Sequence, residues 1–305
     1  MRITVTGGTG LIGTRLVAAL RERGDEVTAL SRRPAEARRM LGVEAVGWRA
    51  EDEPAPVDAL AGRDGVVHLA GESIAQRWTR QSKARIRSSR ERGTAQLVEG
   101  LRQSEPRPRV LVSASAVGYY GPRGAERLDE TARPGKGFLA SVCEAWEGAA
   151  APAAEFGIRV VTLRTGVLLD RDDGGLARML PVFRLGIGGP VAGGNQYISW
   201  IAPDDLVRMY VAALDDPDWS GPINAAAPEP VTNREFARAL GRLLHRPAVL
   251  PVPGLALRVL YGEMASVVTT GQRALPVRAL ERGFEFKYPA IDGALAAALT
   301  PRQTS

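Results

Sequence analysis

Met1-Arg2-Ile3-Thr4-Val5-Thr6-Gly7-Gly8-Thr9-Gly10-Leu11-Ile12-Gly13 opens the chain, and its reading decides the fold. Arg2 to Thr6 reads as a short strand that runs directly into a glycine-rich turn. Beyond the turn Ile12, Leu16 and Leu20 recur at helical spacing with Val17 beside them, which makes one apolar helix face. Each glycine has a mechanical reason to be there. Gly7 permits a tight turn out of the strand, Gly10 lets backbone approach a bulky anion, and Gly13 lets the helix pack close to the sheet. Free N–H groups at the helix start, aided by the helix dipole, suit a pyrophosphate. A glycine triplet alone is often only a turn. Here a strand precedes it and a helix follows, which is the context that dinucleotide binding requires. No Gly-Lys-Ser/Thr follows, so a P-loop is excluded.

Working outward, Gly24 marks a helix end and Glu26 to Leu30 reads as a second strand, closing in Ser31-Arg32-Arg33-Pro34. An NAD site usually has an acidic residue there for the ribose hydroxyls. An acid would repel a 2′-phosphate, whereas Arg32 and Arg33 offer it charged, planar donors, so NADP(H) is expected over NAD(H). The bland alternative is two surface arginines in a turn. Asp64-Gly65-Val66-Val67-His68-Leu69-Ala70-Gly71 is the next buried parallel strand, ending in small residues that leave room for a ligand. His68 sits inside its apolar run and is expected to be a packed core histidine rather than a catalytic one.

A helix over about Thr79 to Leu101 precedes a strand from Arg109 to Ser115, which continues into Ala116-Val117-Gly118-Tyr119-Tyr120-Gly121. Four features now stand in order: Gly7-x-x-Gly10-x-x-Gly13, Asp64-x-x-x-His68-Leu69-Ala70, the Ser-rich strand end running into Tyr-Gly, and Leu163-Arg164-Thr165-Gly166-Val167-Leu168. Together they resemble the extended short-chain dehydrogenase/reductases, the class that holds the nucleotide-sugar epimerases. The resemblance implies a Rossmann-type, doubly wound parallel sheet over residues 1–225, with a smaller, mostly helical lobe over 226–305 and a Gly-rich insertion at about 171–197 contributing to that lobe. It implies a cofactor held by Gly7, Thr9, Gly10, Leu11, Ile12 and Gly13, by Ser31, Arg32 and Arg33, by Leu69, Ala70, Gly71 and Glu72, and by Ser113 and Ala114.

One departure bears on chemistry. These enzymes carry a Tyr-x-x-x-Lys pair on a helix after the catalytic Ser, where Tyr is the acid/base and Lys lowers its pKa. Here the helix reads Phe138-Leu139-Ala140-Ser141-Val142-Cys143-Glu144-Ala145-Trp146-Glu147. Placing the family's downstream Glu on Glu147 puts Leu139 in the Tyr slot and Cys143 in the Lys slot. Arg90 likewise stands where the family has Asn ahead of Gly93-Thr94. The chain is similar throughout to one subgroup, the NAD-dependent epimerase family proteins with a C-terminal domain of unassigned function and no such pair. Arg77-Trp78, Phe183-Arg184-Leu185-Gly186-Ile187-Gly188-Gly189-Pro190 and Ala227-Pro228-Glu229-Pro230-Val231-Thr232-Asn233 carry that likeness. Catalytic candidates near the cofactor are then Ser115, Tyr119 and Tyr120, with Arg90 and Arg164 as anion clamps and Cys143 as a thiolate only in principle.

At 305 residues, 45% hydrophobic and 24% charged, the chain is an ordinary globular protein with a large core. The first strand begins at residue 2 and no apolar run of about 18 residues exists, so neither leader nor membrane span is expected and the cytoplasm is the expected location. One cysteine, Cys143, excludes an intrachain disulfide, and two histidines, His68 and His245, make a zinc site improbable. Asp170-Arg171-Asp172-Asp173-Gly174 has a faint likeness to a calcium loop, but Pro181 stands where a Glu is needed, so it reads as a turn and no metal is expected. The net charge of +6 raises nucleic-acid binding. The densest patch, Arg77 to Arg92, puts Arg80, Lys83, Arg87 and Arg90 on one helix stripe, which reads as a solvated face before a phosphate-binding one.

In the C-terminal third, Thr232-x-x-Glu235 is a capping box that opens a helix with Phe236, Leu240, Leu243 and Leu244 on one face. Further helices are expected near Leu255 to Ser266 and Val277 to Arg282. Gly186 to Gly194 is either a lid between lobes or an ordinary surface loop. The expected function is an NADP(H)-dependent oxidoreductase or epimerase-like enzyme on a small polar molecule. The alternative is a non-catalytic NADPH-binding redox sensor or regulatory protein. A homodimer is left open, and nucleic acid and membrane are not expected partners.

Overall fold

A computed structural model describes residues 1–300 of the chain. Seven strands form one parallel sheet: β1 (Arg2–Thr6), β2 (Glu26–Ser31), β3 (Glu44–Gly47), β4 (Gly65–His68), β5 (Val110–Ala116), β6 (Arg159–Thr165) and β7 (Gly221–Ala225). Their order across the sheet is β7-β6-β5-β4-β1-β2-β3. The chain therefore winds outward in both directions from β1, and the switch point lies between β1 and β4. In open α/β sheets the crevice at the carboxyl ends of such strands is where ligands bind.

The helices of the chain include α1 (Leu11–Glu22), α2 (Pro34–Leu41), α3 (Arg80–Gln103), α4 (Phe138–Ala150), α5 (Gly174–Arg184), α6 (Pro203–Asp215), α7 (Asn233–Leu243) and α8 (Gly254–Tyr261). On one face α1, α2 and α6 bury Leu16, Leu20, Leu41, Met209 and Tyr210 against Ile3, Val5, Val67 and Val112. On the other, α3 and the end of α4 bury Leu97, Leu101 and Ala150 against Leu30, Val66 and Leu111. Successive strand residues thus face opposite layers, and a central strand covered on both sides is apolar throughout.

Local chemistry sets the helix ends. The Oγ1 of Thr79 accepts from Ser82 N and the Oγ of Ser82 accepts from Thr79 N, so α3 starts at Arg80. Thr232 and Glu235 close the same reciprocal box at the start of α7. Pro34 occupies the first turn of α2, and Gly42, with φ +63°, ends it.

A second core gathers Leu169, Leu176, Leu180, Phe183 and Trp200 with Phe236, Leu240 and Leu295, the last on the terminal helix Ile291–Leu299. The polypeptide passes between the two cores at five places: Leu168 packs in the first and Leu169 in the second, Ala202 in the second and Leu206 in the first, Ala225 in the first and Ala227 in the second, Ala248 in the second and Ala279 in the first, and Phe286 in the first and Tyr288 in the second. The stretch Gly186 to Gly194 is held against the segment after α7. Ala192 N donates to Val252 O at 3.0 Å, and Val252 N to Pro190 O at 2.9 Å. Among the described residues no helix is long and apolar enough to cross a membrane, and no acidic, histidine or cysteine cluster could hold a metal.

Candidate active site

The glycine turn is built as tightly as its sequence requires. Gly7 has φ +68°, and a Cβ there would stand 2.7 Å from Ala70 N. A Cβ on Gly13 would stand 2.6 Å from Gly8 Cα and nearer still to the Gly7 carbonyl oxygen, so the first turn of α1 rests directly on the loop. Gly10 is different: only Gly7 O, at 3.3 Å, lies close to its would-be Cβ, and it faces outward. It is the N-cap of α1 and supplies no side-chain cap. The first-turn N–H groups of Leu11 and Ile12 are left for an external anion. Thr9 and Gly10 are exposed, and Leu11 and Ile12 are half-buried.

At the end of β2, Ser31 Oγ accepts from Arg33 N at 3.1 Å. Arg33 reaches Glu36 at 3.3 Å with its side chain 80% exposed, and Arg32 is exposed as well. Both guanidiniums are available to a charged ligand. Beside them, β4 runs into Leu69, Ala70, Gly71 and Glu72, held to β1 by Leu69 N to Thr6 O, 3.1 Å. His68 is wholly buried, with Nδ1 2.7 Å from Thr6 Oγ1 and Nε2 3.0 Å from Thr94 Oγ1. Burial first, then the nearby Arg90 charge, push its pKa down to about 4, so it is a neutral packing residue.

At the end of β5 a buried network replaces the expected loose set of candidates. Ser115 Oγ donates to Glu147 Oε1 at 2.6 Å. Arg164, opposite Ser115 on β6, donates to both Glu147 oxygens at 2.8 Å each and to the Tyr120 hydroxyl at 2.9 Å. Burial alone would lower the Arg164 pKa, but the Glu147 bond and charge raise it. The guanidinium also lies 3.5 Å from the ring centroid of Tyr119. Tyr119 is half-buried; burial raises its phenol pKa and Arg164 pulls the other way.

Three expectations are corrected here. Tyr120 is fully buried, its hydroxyl 2.7 Å from Asn224 Oδ1 and 3.0 Å from Asp129 O, and burial pushes its pKa up to about 12, so it is a packing residue and not an acid/base candidate. Arg164 is 3% exposed and spent on Glu147, so it is not a clamp for an outside anion. Ser113 is fully buried with its hydroxyl turned to Ala114 O at 3.3 Å, so it offers a cofactor no side chain. Ala114, beside it, is half-buried.

Leu139 and Cys143 both rest on the turn after Ser115: a Cβ on Gly118 would stand 3.3 Å from Leu139 Cβ and 3.8 Å from Cys143 Sγ. Burial, reinforced by Glu147, pushes the Cys143 thiol up to about 12, so it is not a thiolate at neutral pH. Arg90 turns inward. It donates to Glu72 O at 2.9 Å and Ile86 O at 3.1 Å, and lies over the Trp146 ring at 4.9 Å. Of the rest of its stripe, Lys83 is paired with Glu263 and Arg87 with Glu91. Asp170, in the turn read as a poor calcium loop, is bound by Arg15, and Asp173 caps α5.

Glu147, which in the sequence only fixes the register of α4, is the centre of this network. Its position four residues after Cys143, on the same helix face, was the available signal. Asn224 had no such local signal, because it meets Tyr120 only through its register beside Arg164 in the sheet.

The NAD dependent epimerase/dehydratase family matches residues 3–226. The chain belongs to that family. A domain of unknown function, DUF1731, matches residues 252–298 of this epimerase-family protein. It is 44% identical to the chloroplastic epimerase family protein SDR39U1 homolog of Arabidopsis thaliana, over 97% of this chain and 86% of that one. It is 36% identical to the epimerase family protein YfhF of Bacillus subtilis over the whole of both chains. The crystal structure of human epimerase family protein SDR39U1 (isoform 2) with NADPH superposes with a TM-score of 0.86 at 33% identity, covering 97% of this chain and 98% of that one. The family, the Rossmann-type sheet and the atypical short-chain dehydrogenase/reductase subgroup are thereby established for this protein.

Proposed function

We propose that this epimerase-family protein is an NADP(H)-dependent reductase that protonates the oxygen of a small polar carbonyl compound through Tyr119. The residues fit the cofactor: the uncapped helix start beyond Gly10 suits the pyrophosphate, and exposed Arg32 and Arg33 suit the 2′-phosphate. NADPH, which the similar human protein holds, supplies the hydride when bound. The observation that carries the reading is the Tyr119 ring stacked on Arg164 at 3.5 Å beside the vacated Leu139 and Cys143 positions.

A phenol is neutral at pH 7, and burial, which raises the Tyr119 pKa while Arg164 pulls the other way, keeps its proton in place for transfer. That favours reduction, where the forming alkoxide needs a proton, over alcohol oxidation or epimerisation, which begin with a base. The Arg164 charge stabilises the phenolate left behind, which is the part Lys plays in the usual pair. Ser115, its hydrogen committed to Glu147, presents lone pairs only and can orient a donor on the substrate.

A second reading, an NADPH-binding regulatory protein without turnover, is favoured by Leu139, which transfers no proton. The two separate in one experiment: NADPH titration of the purified protein, followed by NADPH oxidation across a panel of aldehydes, ketones and nucleotide-sugars. On the substrate found, Tyr119→Phe is expected to lower kcat by about 10²–10⁴-fold, with Tyr120→Phe and Leu139→Ala far milder. Full turnover by Tyr119→Phe would reject Tyr119 as the acid. Tight NADPH binding with no turnover of any compound would favour the regulatory reading.

A further inference from the structure

Helix α8 is apolar round most of its circumference, yet none of its residues is buried. Leu255, Val259 and Leu260 are 74%, 72% and 66% exposed. A helix of that composition ordinarily lies in a core or against lipid. Its neighbours repeat the pattern: Leu185, Ile187, Val249 and Leu250 are all exposed. They form one surface, because the chain before Gly194 runs along the chain before α8. Arg246 Nε donates to Arg184 O at 2.9 Å, and Val191 and Val252 form a parallel bridge.

The charge of this surface is one-sided. Residues 174–203 and 236–262 contain no Asp or Glu, and six arginines: Arg178, Arg184, Arg238, Arg242, Arg246 and Arg258. All six are exposed. Their number equals the protein's whole formal excess of +6. Arg242 is paired with Asp292, while Arg184, Arg246 and Arg258 stand among the apolar side chains. Glu263, just beyond α8, is bound by Lys83.

We propose that this face docks on an anionic lipid surface, with the aliphatic side chains of α8 and the Leu185 and Val249 loops entering the interface and the arginines meeting the headgroups. Exposed apolar residues interspersed with arginine, on segments that carry no acid of their own, are what such surfaces select. A second copy of the chain fits poorly, since a two-fold contact would set the same arginines against each other. Nucleic acid fits poorly too: the face offers Leu, Val and Ile, with Tyr261 the one aromatic ring of α8 on which a base could stack. Peripheral docking needs no spanning segment, so the absence of one among the described helices does not bear on it.

The test is flotation of the full chain with vesicles of phosphatidylcholine alone and of phosphatidylcholine with phosphatidylglycerol. Binding is expected only to the anionic vesicles, weakening as salt rises. Leu255→Glu with Val259→Glu should abolish it, and Arg184→Glu with Arg258→Glu should lower it by at least about fivefold per arginine. Met40→Glu, an exposed apolar site outside this face, should leave it unchanged. Thermal melts show that each variant remains folded; the substituted side chains are all at the surface, so loss of binding is not loss of fold. No flotation with anionic vesicles at low salt overturns the proposal. So does equal flotation with neutral vesicles, or undiminished binding by the Leu255/Val259 variant. Retention of polyglutamate on the face without flotation would assign it to an acidic protein instead.

Discussion

Arg164 and Glu147 meet through two parallel hydrogen bonds of 2.8 Å each, with the guanidinium 3% exposed and the carboxylate 15%. Removing one member of such a pair strands the other charge in a site that water barely reaches. Glu147→Ala is therefore expected to cost about 3–5 kcal/mol of folding stability. Glu147→Ala with Arg164→Met should recover part of that loss, because no lone charge remains. Urea midpoints of the two variants check it; equal loss in both would mean the ion pair is not what matters at this position.

Gly10 and Gly13 belong to one motif but answer to different demands. A Cβ at Gly13 would collide with the Gly7–Gly8 backbone, whereas one at Gly10 meets only Gly7 O at 3.3 Å. Gly13→Ala should lower the melting temperature and displace the loop. Gly10→Val should leave the protein folded, with a smaller drop in melting temperature than Gly13→Ala, and abolish NADPH binding, since the branched side chain stands where the pyrophosphate would lie. Retained binding in the Gly10 variant would place the dinucleotide elsewhere.

Arg32 and Arg33 are expected to set cofactor choice. A charged hydrogen bond contributes about 1.5–3 kcal/mol, so NADPH should bind roughly 10- to 100-fold more tightly than NADH, at about 1.4 kcal/mol per tenfold. The double alanine variant should bind the two alike in a fluorescence titration. Equal affinities in the unmutated protein would contradict the assignment.

His68 links stability to pH. Folded, its pKa is pushed down to about 4 by burial; unfolded, it should return to about 6.5. Above the unfolded value both states are neutral and the contribution is complete. As pH falls from there toward 4, the unfolded state takes up a proton the folded state refuses, and stability drops by about 3 kcal/mol in all. Denaturation midpoints at pH 7 and pH 4.5 should differ less in His68→Gln than in the parent protein. An identical difference would place the titration on other groups.

Much of this was legible because the signals were local. The strand, turn and helix of the first 22 residues are dictated by glycine geometry and by one periodic apolar face, and the α7 capping box sits within four residues. What escaped depends on partners distant in sequence. Tyr120 read as a candidate because its burial comes from Asn224, supplied by β7. Arg90 read as a clamp because Trp146, over which it lies, belongs to the next helix. Helix α5 was hidden by its own Pro181, although Asp173 ahead of two glycines gave a usable cap signal. The exposure of α8 was illegible for the opposite reason: apolar composition predicts burial, and the fold does not provide it.

The five crossings tie the two cores together at several points among the described residues. Leu168 and Leu169 are consecutive, as are Ile201 and Ala202, yet each pair divides between cores, and every crossing would have to bend at once for one body to swing from the other. Access for a substrate therefore falls to the movement of surface segments rather than to the rotation of one core away from the other.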